Sequence, residues 1–324
     1  MHNVYLYSGC YTLSPNADIN WYTEKLGKRA LLSEDDFVTY AADKKYSKNE
    51  KIACDLLYPA AKALDIGSAG NTIAPEEIGI SFGTAQGCIH SLQHAAENIK
   101  QKGHKGMMPK DAANCILGGA ASKVAIRLGI KNFCLTNYDA ENAGLDAVLF
   151  ASDMLQNGTC QYALACGGDE EGDAYGALLL GSQAGGTCLI SGRAKGLVYG
   201  ENLQQQMEFF MQQALTSCGK QAESLDAVIL LSDTAQEVCG SATKQVCGSQ
   251  TMQFTLSFPE TAASSKGILA ILYAEQLFRG EMVPAQAAIS NVLLVQHDAN
   301  GTFSCMILEL SLIHISEPTR LRRI

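Results

Sequence analysis

The hydrophobic pattern is clearest in residues 132–158, where a short apolar run is followed by a long helical periodicity. Residues 133–136 form an apolar run of strand length, and residues 137–142 are polar. The side chains that then recur at helical spacing are Leu145, Val148, Leu149, Ser152 and Leu155. Asn157 and Gly158 are typical of residues that end a helix. The segment therefore predicts a buried strand, a tight polar turn and an amphipathic helix over residues 143–156.

Strand-like and helical patterns alternate along the rest of the chain. Apolar strand-like runs occupy residues 4–8, 78–82, 162–166, 175–181, a run from about 187, 225–231, 253–257, 291–296 and 303–308. Helical periodicity occupies residues 50–64, 89–99, 115–130, 201–217 and 261–278. The last two strands flank a polar turn and predict a closing hairpin. Alternation in two successive runs predicts a doubled α/β fold.

The polar turn before the helix at 143–156 is the first candidate site. A strand that turns sharply into a helix holds one side chain at the helix N-terminus, where backbone N–H groups and the helix dipole favour an anion. Enzymes place a Cys or Ser nucleophile there, because the same field stabilises a thiolate or an oxyanion. Here the turn holds Asp139, Ala140, Glu141 and Asn142, which include neither a thiol nor a hydroxyl.

Four segments of the sequence resemble β-ketoacyl synthases. AGLDA at 143–147 resembles part of the family's TxxTGCxAGLDAL stretch, which places Glu141 where the family has its acyl-accepting Cys. The other three are IGISFGTAQGCIHSL (78–92), CILGGAASKVAIRLGI (115–130) and YALACGGDEE (162–171), which resemble the family's GVxxGTGxGG turn, its NAAAGQIAIRLGL helix and its ALAGGAEE strand. The resemblance implies a thiolase-like fold with two similar halves in a layered α-β-α-β-α arrangement. We assign the halves to residues 1–186 and 187–309.

The resemblance also indicates which chemistry is missing. In the family, a Cys holds the acyl chain and two His of the second half stabilise the enolate. The loops that match these His place Asp233 (or its neighbour Ser232) and Glu260 at their positions, and HDANGTF replaces the family's GFGGxN motif. His297 is the one His between residues 105 and 309. Carboxylates are poor acyl-transfer nucleophiles and would repel an enolate, so we expect the fold without the chemistry.

Three functions stay open at this stage. The resemblance favours a non-catalytic subunit of the kind called a chain-length factor, which pairs with an active ketosynthase. An acyl carrier protein is a second candidate partner. A residual acyltransferase or malonyl-ACP decarboxylase is the enzymatic alternative, and a degenerate acyl-binding homodimer is the third. In the family, the strand at the turn and the preceding helix form the dimer interface. The residues this assigns to the interface or acyl tunnel are Phe133, Cys134, Thr136, Tyr138 and Asn142.

Other candidate side chains have simpler interpretations. Glu141 is expected to be a helix-terminal carboxylate satisfied by backbone donors. Cys134 is expected to pack in the core. Asp169, Glu170 and Glu171 are expected to form a solvated turn. His90 and His94 have the i, i+4 spacing of metal ligands but no third ligand nearby, so a surface pair is expected and no metal or cofactor is assigned.

Composition and charge argue against several classes of partner and location. The chain has 324 residues, a hydrophobic content of 47%, a charged content of 18% and a net charge of −9. An acidic balance argues against nucleic acid and anionic membranes as partners. The sequence has no apolar run of membrane-spanning length and no signal-peptide pattern at its start. Twelve scattered Cys without a CxxC motif are typical of free thiols in a reducing compartment, so a cytoplasmic protein is expected.

The last residues look foreign to the domain. Residues 310–320, LSLIHISEPTR, resemble the read-through of a transposase sequencing adapter. Residues 310–324 are therefore excluded from the expected fold, as a fusion scar would be.

Overall fold

The computed structural model describes residues 3–28, 30–32, 51–68, 72–107, 109, 112, 115–170, 172–232, 236–282 and 288–311. The strands are β1 (Val4–Leu13), β2 (Ile78–Thr84), β3 (Cys134–Tyr138), β4 (Tyr162–Gly167), β5 (Ala174–Gly181), β6 (Cys188–Leu197), β7 (Ala227–Ser232), β8 (Met252–Thr255), β9 (Asn291–His297) and β10 (Thr302–Leu310). The helices are α1 (Ile19–Leu26), α2 (Lys51–Gly67), α3 (Ile89–Lys102), α4 (Gly119–Leu128), α5 (Ala143–Gln156), α6 (Leu203–Ser217), α7 (Gln236–Cys247) and α8 (Lys266–Phe278). Short 3-10 turns precede α5 (Ala140–Asn142) and α8 (Glu260–Ser265).

The sheet reveals an internal duplication. Its strand order is β3-β2-β4-β5-β1-β6-β10-β9-β7-β8. Read inward from its own edge, each half has the same order, because β3-β2-β4-β5-β1 in the first half corresponds to β8-β7-β9-β10-β6 in the second. The directions repeat as well: β2 is parallel to β3 and β4, as β7 is to β8 and β9. Strands β1 and β6 join the halves through antiparallel pairing of Val4 with Ile190 and Leu6 with Cys188. The predicted fold of two similar halves is confirmed, and we retain 186/187 as the proposed boundary.

The buried residues form three clusters, which lie between the layers of the fold. Helices α5 and α8 lie in the central cluster, between the two halves of the sheet. Helices α2 and α4 cover the outer face of the first half, and α6 and α7 cover that of the second. Alternation along β7 illustrates this, because Ile229 faces the central layer while Val228 and Leu230 face the outer one. Strands buried on both faces must be continuously apolar, which explains the apolar runs.

The two central helices touch at their N-terminal turns because glycines allow it. A Cβ on Gly144 would lie 2.1 Å from the carbonyl oxygen of Ser264, and one on Gly267 would lie 2.6 Å from the backbone nitrogen of Leu145. Real Cβ contacts are not that short, so only glycine permits this approach. As a consequence, the turn before α5 faces the first residue of α8.

Most predicted elements are present, but the burial of some and the presence of one helix were not predicted correctly. Helix α5 spans the predicted residues, but it is buried on nearly all sides because it lies in the central layer. The strand at 133–136 was predicted to be buried, whereas β3 is an exposed edge strand. Helix α3 is present where the periodicity predicts it, and two of its apolar residues, Ile89 and Leu92, are more than 40% exposed. Helix α7 was missed, because it has few large apolar residues.

The sheet includes Leu310, the first residue of the segment that was excluded from the expected fold. Leu310 is the last residue of β10 and pairs with Cys188, and Ser311 is buried and donates its backbone N–H to Thr187. Residues 312–324 lie outside the described part of the chain. None of the helices that the structure describes is long and apolar enough to cross a membrane.

Candidate functional site

The turn between β3 and α5 has the strained backbone of a tight strand-to-helix connection. Ala140 has a φ of 40°, and it is the one non-glycine residue with a positive φ among those described. Such a conformation costs about 1–3 kcal/mol and persists only where the surrounding structure enforces it. The adjacent Asn142 is fully buried and donates its Nδ2 to the carbonyl oxygen of Thr302 at 3.2 Å. The turn is therefore clamped against the start of β10.

Glu141, the residue predicted to stand at the position of the family's nucleophile, meets a buried lysine. Its Oε2 lies 3.3 Å from Nζ of Lys266, the first residue of α8. The Lys266 side chain is 4% exposed and that of Glu141 is 28% exposed. The Nε2 of Gln296 also donates to the Glu141 carbonyl oxygen at 2.5 Å. Glu141 was expected to be satisfied by backbone donors, but the group that its carboxylate meets is an ammonium.

Of the other two predicted triad positions, only Glu260 is described. Asp233 lies outside the described residues. Glu260 is exposed, in the 3-10 turn before α8, and Lys266 is the residue of this segment that reaches the turn. His297 follows Gln296 in β9, and successive strand residues face opposite sides of a sheet. Since Gln296 reaches Glu141, the His297 side chain is directed toward the outer layer.

A second charged cluster lies beside the turn and links the two halves. The Nζ of Lys195 in β6 lies 2.7 Å from Asp139 Oδ2 and 2.5 Å from Asp146 Oδ2. Burial and the neighbouring Asp139 raise the pKa of Asp146 to about 7. Burial opposes ionisation of Asp139 as well, but hydrogen bonds with Asp146 and Lys195 outweigh it and lower its pKa. The two carboxyl groups therefore share one proton next to the lysine. No pattern in the sequence pointed to Lys195.

This cluster predicts a specific pH dependence of stability. The folded pKa of Asp146 lies above its unfolded value of about 4, so the folded protein holds this proton more tightly. The stabilisation is fully present below about pH 4 and is lost as the pH rises to about 7. Asp146→Asn, which stays neutral, should remove this loss. Melting temperatures of both proteins should be measured from pH 4 to 8, and parallel curves would show that Asp146 does not titrate in this range.

Asp169 is the acceptor of a third group of hydrogen bonds, at the end of β2. It is 3% exposed, and its Oδ1 accepts hydrogen bonds from Thr84 Oγ1 (2.8 Å) and from the backbone N–H groups of Ala85 and Gln86 (both 2.9 Å). Its Oδ2 accepts one from Ser264 Oγ at 2.6 Å. The expected solvated turn was wrong at this position, because Asp169 ties the end of β2 to the turn before α8. Glu170 accepts a hydrogen bond from Ser91, and Glu171 lies outside the described residues.

The predicted interface residues divide into two groups. Cys134 and Tyr138 are exposed on β3, so the core position predicted for Cys134 was wrong. Phe133 is half-buried against Gly79 and stacks edge-on to Phe150, with ring centroids 5.9 Å apart. Thr136 is also half-buried. Asn142 is enclosed within the chain and belongs to the turn rather than to the surface.

Strand β3 carries an exposed apolar surface together with α3, α4 and the segment between these helices. Its side chains are Ile89, Leu92, Ile116, Leu117, Ile126, Leu135 and Tyr138, which are 36–78% exposed. We call these residues the β3 surface. Leu117 and Tyr138 both approach Gly87, and the Sγ of Cys88 contacts the carbonyl oxygen of Cys115, so the segments adjoin each other. Large contiguous apolar surfaces of this kind mark interaction sites.

The described residues contain no group of three or more His, Cys, Asp or Glu side chains that could hold a metal ion. His94 is exposed and His90 is half-buried on α3. The eleven cysteines other than Cys54 are free thiols.

Comparison with known proteins identifies the family. The model of the β-ketoacyl synthase N-terminal domain matches residues 35–203, more than half of the chain. The chain belongs to the β-ketoacyl synthase family. A comparison with curated protein sequences found no significant match.

Solved structures share the fold at low sequence identity. The AntDE:AntF complex, a type II polyketide synthase acyl-carrier protein with its ketosynthase, matches with a TM-score of 0.75 and 12% identity, over 95% of this chain and 99% of that chain. The ishigamide ketosynthase/chain length factor matches with a TM-score of 0.69 and 14% identity, over 95% and 99%. The ketosynthase ApeO with its chain length factor ApeC, from Xenorhabdus doucetiae, gives 0.68 and 13%, over 95% and 98%. The thiolase-like fold predicted from the sequence is confirmed.

Proposed function

We propose that this chain is a non-catalytic ketosynthase homologue that acts as a chain-length-factor-like partner of an active ketosynthase. The observation that carries the proposal is the β3 surface. Its apolar side chains are exposed on and beside an edge strand, next to a turn that lacks a nucleophile. Similar structures include complexes of a ketosynthase with its chain length factor, which supports a partner of this kind. The pathway would be cytoplasmic biosynthesis of a fatty acid, polyketide or aryl polyene.

The first line of support is the side chain at the turn before α5. A ketosynthase needs a thiolate at the helix N-terminus and donors for the enolate oxygen. This chain places a carboxylate there, and Lys266 neutralises it at 3.3 Å. A carboxylate that already pairs with a buried ammonium is a still weaker nucleophile than a free one, because attack would require breaking the ion pair.

The second line of support is the unpaired edge of the sheet. In the described chain β3 pairs with β2 on one side and has no strand on the other. An exposed apolar edge strand favours pairing with another chain and is a liability when left open. An obligate interface of this type buries more than about 2,000 Å² and resembles a core cut in half. A ketosynthase subunit, built on the same fold, would present a matching edge.

The proposal predicts that the purified chain alone does not condense acetyl and malonyl thioesters, and that a ketosynthase from the same genome co-purifies with it. Co-expression followed by size exclusion with mass measurement tests the pairing. Product formation by the pair, measured with and without this chain, tests whether the chain is needed for activity or product length.

The alternatives give different results in the same assays. A stable homodimer that captures no ketosynthase would support the acyl-binding homodimer instead. Turnover of malonyl-ACP by the purified chain would support the decarboxylase, and condensation would support residual acyltransferase activity, provided that the Glu141→Ala variant loses it. A stable monomer that captures no ketosynthase overturns the proposal.

A further inference from the structure

We propose that Cys88 and Cys115 are a redox-active thiol pair at the β3 surface, which a small disulfide such as oxidised glutathione converts into an intramolecular disulfide. This inference goes beyond the partner role, because it assigns a chemical modification to the surface that a partner would cover. The two cysteines stand directly before Ile89 and Ile116, which belong to that surface. A bond between the cysteines would therefore join two of the segments that carry its apolar side chains.

The two cysteines already touch in the reduced protein. The Sγ of Cys88 donates a hydrogen bond to the carbonyl oxygen of Cys115 at 3.1 Å. Covalent geometry then keeps the two Cα atoms within about 8 Å of each other, and disulfides usually join Cα atoms about 4.4–6.8 Å apart. Their neighbours also meet, since a Cβ on Gly87 would lie 2.4 Å from Cδ1 of Leu117. Rotation of the Cys88 side chain and a small shift of the backbone would bring the two sulfurs together.

Accessibility separates this pair from the other described cysteines. Seven cysteines are buried, namely Cys10, Cys160, Cys166, Cys188, Cys239, Cys247 and Cys305. Cys134 is exposed, but its Sγ lies 3.9 Å from Ser122 Oγ. The half-buried Cys218 contacts carbonyl oxygens in the last turn of α6. Cys88 and Cys115 are both half-buried, so a small disulfide can reach a thiol that has a second accessible cysteine beside it.

The chemistry is two successive thiol–disulfide exchanges. One protein thiolate attacks a sulfur of oxidised glutathione, which forms a mixed disulfide and releases one glutathione thiolate. The second cysteine loses its proton and attacks the protein sulfur of the mixed disulfide, so the protein disulfide forms and the second glutathione leaves. The protein loses two protons and two electrons, and one glutathione disulfide becomes two glutathiones. Burial, with a further contribution from Glu170, raises the pKa of the Cys88 thiol, so the exchange is best measured in mildly alkaline buffer.

The new bond changes the shape of the β3 surface. A disulfide holds its two Cβ atoms about 3.8 Å apart, so the segment at Cys115 must move toward the first turn of α3. The hydrogen bond from Cys88 to the carbonyl oxygen of Cys115 is lost in the process. Ile89 and Ile116 move with their neighbours, and a closely packed interface tolerates little displacement. The bridged chain should therefore bind a ketosynthase more weakly, a consequence that rests on the proposed function.

Oxidation of the full native chain tests the thiol pair. The chain is treated with about 5 mM oxidised glutathione at about pH 8.5, then alkylated, digested with trypsin and mapped by mass spectrometry. The peptide with Cys88 should be linked to the peptide with Cys115. This linked form should exceed glutathione adducts at the two positions by at least about tenfold, because the neighbouring thiol acts at an effective concentration in the millimolar range or above. An adduct on the exposed Cys134 shows that the oxidant has reacted.

Three variants make the result specific to the pair. Cys115→Ser should retain glutathione on Cys88, and Cys88→Ser should retain it on Cys115, because neither has a second thiol to displace it. Cys134→Ser should form the linkage as the native chain does. Separate adducts at Cys88 and Cys115 in the native chain, or no reaction at either while Cys134 is modified, would overturn the inference. A linkage that forms only in denaturant would also overturn it.

The effect on the β3 surface is measured in the Cys134→Ser chain, because glutathione on the exposed Cys134 would itself obstruct β3. Affinity for a co-expressed ketosynthase should fall by at least about tenfold in the bridged chain and return after reduction with a dithiol. Equal affinity of the bridged and reduced chains would overturn the effect on the surface. Failure of the reduced chain to bind any ketosynthase would instead contradict the proposed function, and the mapped disulfide would stand.

Discussion

Replacing Leu135 by Asp should prevent this chain from pairing with the ketosynthase proposed as its partner, while leaving the single subunit folded. Leu135 lies on β3 and is 36% exposed in the single chain. On pairing it would enter an apolar interface, where an unpaired carboxylate loses its hydration without gaining a counter-ion. We expect affinity to fall by at least about 100-fold, which corresponds to about 2.7 kcal/mol. Size exclusion of the co-expressed pair and titration of the purified subunits provide the measurement.

The matched control places the same charge on a different exposed apolar residue. Phe209 is 60% exposed on α6, which packs on the outer face of the second half, away from β3. Phe209→Asp should keep the complex. Phe133 is a poorer choice for the test, because it packs against Gly79 and Phe150 of its own chain. A Leu135→Asp chain that binds its ketosynthase as tightly as the native chain would show that β3 is not the interface.

Asp169→Ala should be among the most destabilising single substitutions in the chain. The change removes the acceptor of the Gln86 backbone N–H group and of the Thr84 hydroxyl, and it leaves the Ala85 backbone N–H group with Ser264 Oγ as its acceptor. Loss of a buried charged acceptor costs about 1.5–3 kcal/mol per hydrogen bond, and several are lost together without being additive. We expect a loss of about 3–5 kcal/mol in the free energy of unfolding. Denaturant unfolding measures it directly.

Two neighbouring variants separate the network from a general effect of charge. Asp169→Asn keeps an oxygen for the two backbone groups and should cost clearly less than Asp169→Ala. Glu170→Gln alters the next carboxylate, which accepts one hydrogen bond from Ser91, and should have a small effect. Equal destabilisation by Asp169→Ala and Asp169→Asn would mean that the carboxylate oxygens do not hold the turn.

The sequence identified the local elements wherever their periodicity was strong. Helix α5 begins and ends where the pattern predicts, and the β9–β10 hairpin surrounds the predicted polar turn. The spacing of AGLDA from the turn predicted Glu141 at the nucleophile position, which stays a prediction. These features depend on residues that lie close together along the chain, so a single stretch of sequence contains the information.

The partners of the charged groups were decided by the tertiary structure. Glu141 meets Lys266, Asp139 and Asp146 meet Lys195, and Asp169 meets Ser264, all across long sequence separations. A polar residue in a loop has the same local pattern whether it is solvated or buried, so Asp169 was predicted to be exposed. Burial depends on what packs over the loop.

Exposure of the apolar residues was also a tertiary property. The pattern correctly identified apolar faces on α3 and β3. Periodicity shows that a face is apolar, but it does not show which surface covers that face. In α5 the covering surface is the rest of this chain, because α5 lies between the two halves of the sheet. Over β3, the described residues of the single chain supply no such surface. The sequence by itself thus determined most of the elements and their order. The tertiary structure decided which charges meet and which apolar face stays open, because those depend on contacts between distant segments.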